Sequence, residues 1–283
     1  DAEFTGLDNY RELVTEPGLH RRDFAISLRN TFYYMLIVVP AQTVIALFLA
    51  FLINQKFLRG RGGFRTLLYF PSVTSSIAIT LIWIVLFAKS GLVNRLLPVA
   101  DINWFNEPNG IFHNLLGVFG VDKPPSFMQH KVFELTLWQW ISGPSVALFA
   151  IMLLAIWTTS GGLMVIFLGG LQNVPVEVEE AASVDGARWF TRFRLVVAPM
   201  LKPQIYLVVT LGVIGTWQVF DQVYAATAGG PQKTTLTPAY LIYERTFGSQ
   251  AGLGAATAVL LFIVILFFTW VQRRVTGSSG DKV

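Results

Sequence analysis

Residues 30–65 read NTFYYMLIVVPAQTVIALFLAFLINQKFLRGRGGFR. The first 24 of them, Asn30 to Ile53, contain no Asp, Glu, Lys or Arg. A bilayer core about 30 Å thick is crossed by roughly 20 apolar residues in an α-helix, so this run is long enough to span it. Lys56, Arg59, Arg61 and Arg65 then follow with no acid among them. Short loops rich in Lys and Arg stay on the cytoplasmic side. One apolar run and one basic turn therefore predict a membrane helix and its direction.

Four more apolar segments lie downstream: Thr66 to Phe87, Ser145 to Leu171, Pro203 to about Ala225, and Gly254 to Val271. None alternates with period two, which excludes barrel strands. The composition agrees, with 53% hydrophobic and 13% charged residues and a mean hydropathy of +0.55; soluble domains carry about 25% charged residues. The formal charge of +4 is concentrated in short loops beside apolar spans, which topology explains and nucleic-acid binding does not. No cysteine is present, so disulfides, thiolate metal sites and cysteine nucleophiles are excluded. The expected fold is an all-α polytopic membrane bundle with five visible spans.

Counting from the basic turn, residues 172–202 also face the cytoplasm, with Arg188, Arg192, Arg194 and Lys202. The tail 273–283, with Arg273 and Arg274, does so too. Residues 1–29, 88–144 and 226–253 then face outside. In the outer loop 88–144, NEPNG and KPPS read as breakers. VFELTLWQWIS (132–142) reads as an interfacial helix, because Trp combines an apolar ring with a polar N–H. A span over 133–153 would put the bases of 172–202 outside, against the charge rule. The expected organisation is an outer lead-in (1–29), a permease body (30–272) and a cytoplasmic tail (273–283).

Residues 172–203 read QNVPVEVEEAASVDGARWFTRFRLVVAPMLKP. A helix should start after Pro175, with acids in its early turns where the macrodipole favours them. Gly186 then allows a turn or a close approach to another surface. A second short helix, about 187–197, carries Arg188, Arg192 and Arg194 beside Trp189 and Phe193. The result is a polar elbow on the cytoplasmic side. Its chemistry suits docking into a partner's groove, and equally an ordinary solvated connector.

EAASVDG, nine residues and then VVAP resemble the EAA loop of ABC importer permeases. Glu180, Ala181, Ala182, Gly186 and Pro199 fit that pattern, with Val196 and Ala198 replacing its usual Ile and Leu. FTGLDNYREL, LINQKFLRGRGGFRTLLYFPSV, GLQNVP and WQVFDQVYAATAGGP are also similar to the carbohydrate branch of that family, in its maltose-type and glycerol-3-phosphate-type larger subunits. The resemblance implies the type I importer permease fold, with a further helix upstream. It implies a second permease, two ATP-binding subunits carrying ATP and Mg, and an extracytoplasmic binding protein that delivers a sugar-like solute. It places Glu180, Ala181, Ala182, Asp185, Gly186, Arg188, Arg192 and Pro199 at the coupling contact with the ATPase. It also implies the inner membrane of a prokaryote, with the C-terminus cytoplasmic. About 35 residues, 109–144, extend the outer loop relative to these relatives.

In the fourth span, spacing of four and three puts Trp217, Asp221 and Tyr224 on one helix face, with Gln218 and Gln222 beside it. At about 1.5 Å per residue, Asp221 would lie roughly 27 Å above Pro203. Aromatic rings, amides and a carboxylate suit a sugar, and an intramembrane acid is a functional candidate. Solvation at the interface or helix packing explains Asp221 equally well. Gln42, Ser72 and Ser75 are weaker candidates for the same path. Gly212 and Gly215 read as close-packing positions.

The chain lacks GxxxxGK[ST] and GxSxG, so it carries no sequence signal for its own ATP site or for a nucleophile elbow. His20, His113 and His130 lack zinc spacing and read as surface residues. An ATP-driven importer permease is therefore the leading reading. An ion-coupled secondary transporter would use Asp221 but leaves the EAA loop unexplained. A membrane-embedded enzyme has no supporting constellation.

Overall fold

The computed structural model describes residues 5–55, 59–97, 102–120, 124–184, 186 and 188–276; for residues 179–181, 183, 189 and 190 it describes the backbone alone. From the N-terminus, α1 (Asp8–Val14) leads into α2 (Leu19–Asn54), then α3 (Arg61–Val73), α4 (Ser76–Leu86) and α5 (Leu92–Leu96). A 3-10 turn at Trp104–Asn106 and α6 (Ile111–Val118) follow. A further 3-10 turn at Ser126–Gln129 leads to the antiparallel pair β1 (Lys131–Val132) and β2 (Leu135–Thr136). Then come α7 (Leu137–Trp140), α8 (Val146–Gln172), α9 (Val176–Val184), α10 (Trp189–Arg192), a π-turn at Phe193–Val197 and α11 (Ala198–Met200). The chain ends with α12 (Lys202–Trp217), α13 (Asp221–Ala226), α14 (Pro238–Phe247) and α15 (Ala251–Thr276).

Among the described residues, three helices are long and apolar enough to cross a bilayer, and there are five spans if each of two bent helix pairs is counted as one. Four positions match those expected; the fourth span, the pair Phe193–Met200 with Lys202–Trp217, is bent by 63° and starts before the expected 203–225, and the second span is a pair bent by 97°. The second breaks where Thr74 and Ser75 turn extended, with ψ of 150° and 123°. Pro71, inside α3, has no N–H for the helix ladder. Ser72 and Thr74 return hydroxyl hydrogen bonds to the carbonyls of Tyr69 (2.7 Å) and Phe70 (2.9 Å), which satisfies groups near the break. The fourth breaks after Trp217, and Phe220 (φ −133°, ψ −60°) precedes the new start at Asp221. The first is longer than its apolar run, because polar residues 19–29 continue the helix; a hydropathy reading cannot see such an extension. The interfacial helix expected over 132–142 is replaced by the β1–β2 turn and the single turn of α7. Thr136 and Gln139 form a capping box there, which starts α7 only after the turn.

The chain divides into two compact units, and each long helix contributes a segment to both. The first comprises Asp1–Ile37, Ser75–Leu154 and Ile214–Phe267. Its core includes Ala147, Leu148, Ala150, Ile151 and Met152, all fully buried. The Trp83 indole donates to the Ala150 carbonyl (3.1 Å) and stacks on Phe87. Asn30, also buried, donates to the carbonyls of Lys233 and Leu236 (3.0 Å each), and Arg245 donates to Thr257 (2.8 Å) and to the His20 carbonyl (3.1 Å).

The second unit comprises Val38–Thr74, Ala155–Val213 and Phe268–Val283. Ala46, Ala50, Met164, Phe167, Leu201 and Val208 form its apolar core. Small residues set the helix spacing here. A Cβ on Gly161 would overlap the Leu68 carbonyl, and one on Gly212 would stand 2.5 Å from Nε2 of Gln42. Gly215 has open space around it, so the close packing expected there is not made within this chain.

Candidate functional site: an elbow between spans and a broken fourth helix

The elbow folds as expected in outline. Pro175 precedes α9, where it fits the first turn without losing a helix hydrogen bond. Gly186 has φ +78°, in the left-handed region that only glycine adopts without cost. α10 then runs through a π-turn into α11, with the Arg192 amide bonded to the Arg188 carbonyl at 2.9 Å. The tight approach anticipated at Gly186 is absent within the chain, since a Cβ there would meet nothing within 4 Å. Its backbone conformation is what demands glycine.

Ala182 is half-buried, and Gly186 and Arg188 are exposed. Arg192 lies on the short helix, and Pro199 begins α11. Of Glu180 and Ala181 only the helical backbone is described, and Asp185 lies outside the described residues. The elbow's underside is anchored: Val197 and Leu201 are buried in the second unit's core, and Phe193 packs edge-on to Phe51 at 5.9 Å. The elbow's exposed surface is mixed, with Gly186 and Arg188 beside Val176, Val178, Val184 and Leu195, above an apolar base.

The residues placed on the fourth span separate into two groups. Trp217 ends α12 and is 1% exposed, its indole N–H directed at the Met35 sulfur at 3.3 Å. Asp221 opens α13 and is exposed, as are Gln218 and Tyr224; Gln222 is half-buried. The shared helical face of Trp217, Asp221 and Tyr224 therefore does not exist, because the helix is interrupted between the first and the second. The same interruption cancels the 1.5 Å-per-residue height assigned to Asp221. The break sets Asp221 at a helix N-terminus, where a carboxylate is stabilised, while the backbone before it stays bonded: the Gln218 amide to the Gly215 carbonyl (3.2 Å) and the Val219 carbonyl to the Thr237 hydroxyl (3.0 Å).

An aromatic group missed in the sequence surrounds Tyr224. Phe220, Tyr224 and Tyr243 lie with centroids 5.2 to 5.4 Å apart, and Phe247 extends the group 5.0 Å beyond Tyr243. Its signal was the spacing of Tyr240, Tyr243 and Phe247 at three and four residues, one face of α14. A hydrogen bond with Tyr224 raises the Tyr243 hydroxyl above the ordinary phenol range.

Gln42 is buried, accepts a 2.7 Å hydrogen bond from Thr159 and sits against Gly212, so its amide is committed to helix packing. Ser72 is half-buried and bonded to its own helix; Ser75 is exposed at the break. His113 is not the free surface residue expected. It stacks on Trp138 at 4.2 Å and bonds the Trp138 carbonyl through Nε2 at 3.1 Å. No cluster of metal-type side chains occurs among the described residues.

Several apolar spans, two of them broken, with a glycine-turned polar elbow between α8 and α12, define a multi-pass membrane transport component. The sequence profile of the family described as "Binding-protein-dependent transport system inner membrane component" matches residues 42–277. The chain belongs to that family, a family of non-catalytic permease subunits of ABC importers in the inner membrane. It is 28% identical over 281 residues to the trehalose/maltose transport system permease protein MalF of Thermococcus litoralis, covering 99% of this chain and 82% of the relative. It is 31% identical over 266 residues to the lactose transport system permease protein LacF of Rhizobium radiobacter, covering 93% and 77%. The fold is similar to that of a solved bacterial ABC transporter involved in the import of the acidic polysaccharide alginate, with TM-score 0.66 at 19% identity, covering 97% of this chain and 85% of that one.

Proposed function

We propose that this chain is the membrane path for a sugar or sugar-like solute, driven by ATP hydrolysis on two separate subunits and fed by an extracytoplasmic binding protein. The relatives named for trehalose, maltose and lactose support the solute class. A second permease completes the path, and ATP and Mg reside on the ATPase pair. The observation that carries the reading is the elbow: a left-handed Gly186 between two short helices, exposing Arg188 beside apolar Val178 and Val184 and set on the core of Val197 and Leu201. A rigid base lets a push at α9 or α10 reach α12 as movement of a whole element.

In this reading Glu180, Ala181, Ala182, Asp185, Gly186, Arg188, Arg192 and Pro199 form the coupling contact. Gln218, Asp221, Gln222 and Tyr224, at the break of the fourth span, face the solute. Trp217 and Gln42 shape that path from the packed side, and Ser72 and Ser75 line the break of the second span. Segments 54–65, 172–202 and 273–283 face the cytoplasm, so the C-terminus is cytoplasmic, and 88–144 faces outside. The test is uptake of radiolabelled sugars and polyols by the purified complex in proteoliposomes. ATP-dependent accumulation of one or a few of them is expected, and accumulation driven by an ion gradient without ATP would refute the reading.

A further inference from the structure

The first unit contains a partly open cavity of about 160 Å³ whose wall includes Arg29, Asn109, His113, Gln139, Ser142 and Ser145. At about 30 Å³ per water, that is room for about five waters, or for one small polar group and little more. No Asp or Glu lines it. Arg29 donates to the Gln139 carbonyl (3.1 Å) and to Oδ1 of Asn30 (2.9 Å), both neutral acceptors. Its Nε is buried and has no partner, and no described carboxylate forms an ion pair with it. Asp23 is paired with Lys233 at 2.7 Å and Glu134 with Arg21 at 3.6 Å, and Glu107, next to the lining, accepts from the Asn109 amide at 3.3 Å. The half-buried Arg29 guanidinium has no anionic partner among the described residues, and its planar fork matches a carboxylate.

The walls are held in place by backbone. Gly110 pairs with Ser145 in an antiparallel bridge, and Ile111 and Phe112 donate to the carbonyls of Pro144 (2.9 Å) and Ser142 (3.1 Å). A Cβ on Gly110 would overlap the Ser142 carbonyl, and Gly143 (φ +74°) lies against the Phe112 ring. Burial, and secondarily the Arg29 charge, hold His113 below the ordinary imidazole range, so the wall offers one permanent cation beside neutral donors.

We propose that this cavity is a carboxylate-binding site, with Arg29 as its charged anchor. The carboxylate is supplied either by a small sugar acid or by an Asp or Glu side chain of the protein that docks on this face. The site differs from the proposed solute path, which uses the broken fourth span, and its first test stands without the transport reading.

The first arm measures thermal unfolding of the complex, purified through a tag on this chain, in acetate, glucuronate or neutral glucose. Ionic strength is held constant with chloride. Acetate and glucuronate should raise the unfolding temperature by a few degrees over chloride, and glucose should not. The rise should vanish in Arg29→Gln and persist in reduced form in Arg29→Lys, which keeps the charge without the fork. Equal responses in wild type and Arg29→Gln, or no response in wild type, would overturn the proposal. Should Arg29→Gln fail to assemble, an Arg29→Lys response equal to that of wild type would overturn the guanidinium's role. The second arm rests on the transport reading and separates the sources. A side chain of the binding protein is the source if its affinity for the complex falls about tenfold in Arg29→Gln and acetate competes with it. A sugar acid is the source if that affinity is unchanged and glucuronate binds more tightly than acetate.

Discussion

Trp217 and Asp221 stand four positions apart, yet the structure gives them different work. Trp217 is buried at the end of α12, so Trp217→Ala should act as a large-to-small core change, costing about 3–5 kcal/mol. We expect reduced thermal stability and recovery of the complex, with the remaining assembled fraction still selective. Asp221 is exposed at the start of α13, so Asp221→Asn should leave unfolding within about 0.5 kcal/mol of wild type, as for a surface change. It should nevertheless lower uptake several-fold. Unfolding curves and uptake on the same preparations separate the two. Normal uptake in Asp221→Asn would remove it from the solute path. Residue types alone drew attention to this region, because aromatics, amides and an acid inside an apolar segment are unusual. The wrong geometry came from assuming one continuous helix, since neither Pro nor charge marks residues 218–220.

At the scale of elements, the elbow was legible because its determinants are local. Pro175 starts α9, Gly186 supplies a positive φ and Pro199 opens α11. The break of the second span was half-legible: Pro71 announced a weak point, but the extended pair at Thr74 and Ser75 depends on contacts that adjacent residues do not encode. The β1–β2 turn was hidden for a similar reason, since Phe133 and Glu134 adopt positive φ without a glycine to signal it. Two variants test these elements. Gly186→Asp places a charged side chain at a left-handed position, a conformation Asp tolerates better than most L-residues, so the change acts mainly through its charge at the exposed turn. It should disconnect ATP hydrolysis from uptake, or release the ATPase pair, while binding-protein docking survives. ATPase pull-down together with binding-protein-stimulated hydrolysis reads both outcomes, and full stimulation with full uptake would make the elbow an ordinary loop. Gly161→Val drives side-chain atoms into the Leu68 carbonyl, and overpacking of this kind costs about 1–3 kcal/mol. A drop in unfolding temperature is expected without any change in solute preference, and unaltered stability would mean that α3 shifts away at little cost.

For the molecule as a whole, the three continuous spans and the bent second one were readable from hydropathy, because a bilayer imposes its length on any helix that crosses it, while the fourth candidate starts about ten residues earlier than expected. The basic turns gave a direction, and the cysteine-free chain makes that direction directly measurable. Arg59→Cys should be shielded from a membrane-impermeant maleimide in intact cells, and Phe127→Cys, on an exposed part of 88–144, should react. The reverse pattern would invert the topology.

The division into two compact units was not legible, because it arises from how distant segments pack and not from any breaker or linker. The Arg29 cavity was hidden in the same way, assembled from α2, α6, α7 and the turn before α8. The most direct test of the central claim is solute uptake into proteoliposomes holding the complete complex, with ATP, binding protein and ion gradient each varied alone. Uptake that requires both ATP and the loaded binding protein, ignores the ion gradient and is lost in Gly186→Asp is the predicted result. Uptake by this chain without ATP, driven by an ion gradient and indifferent to Gly186→Asp, would contradict it.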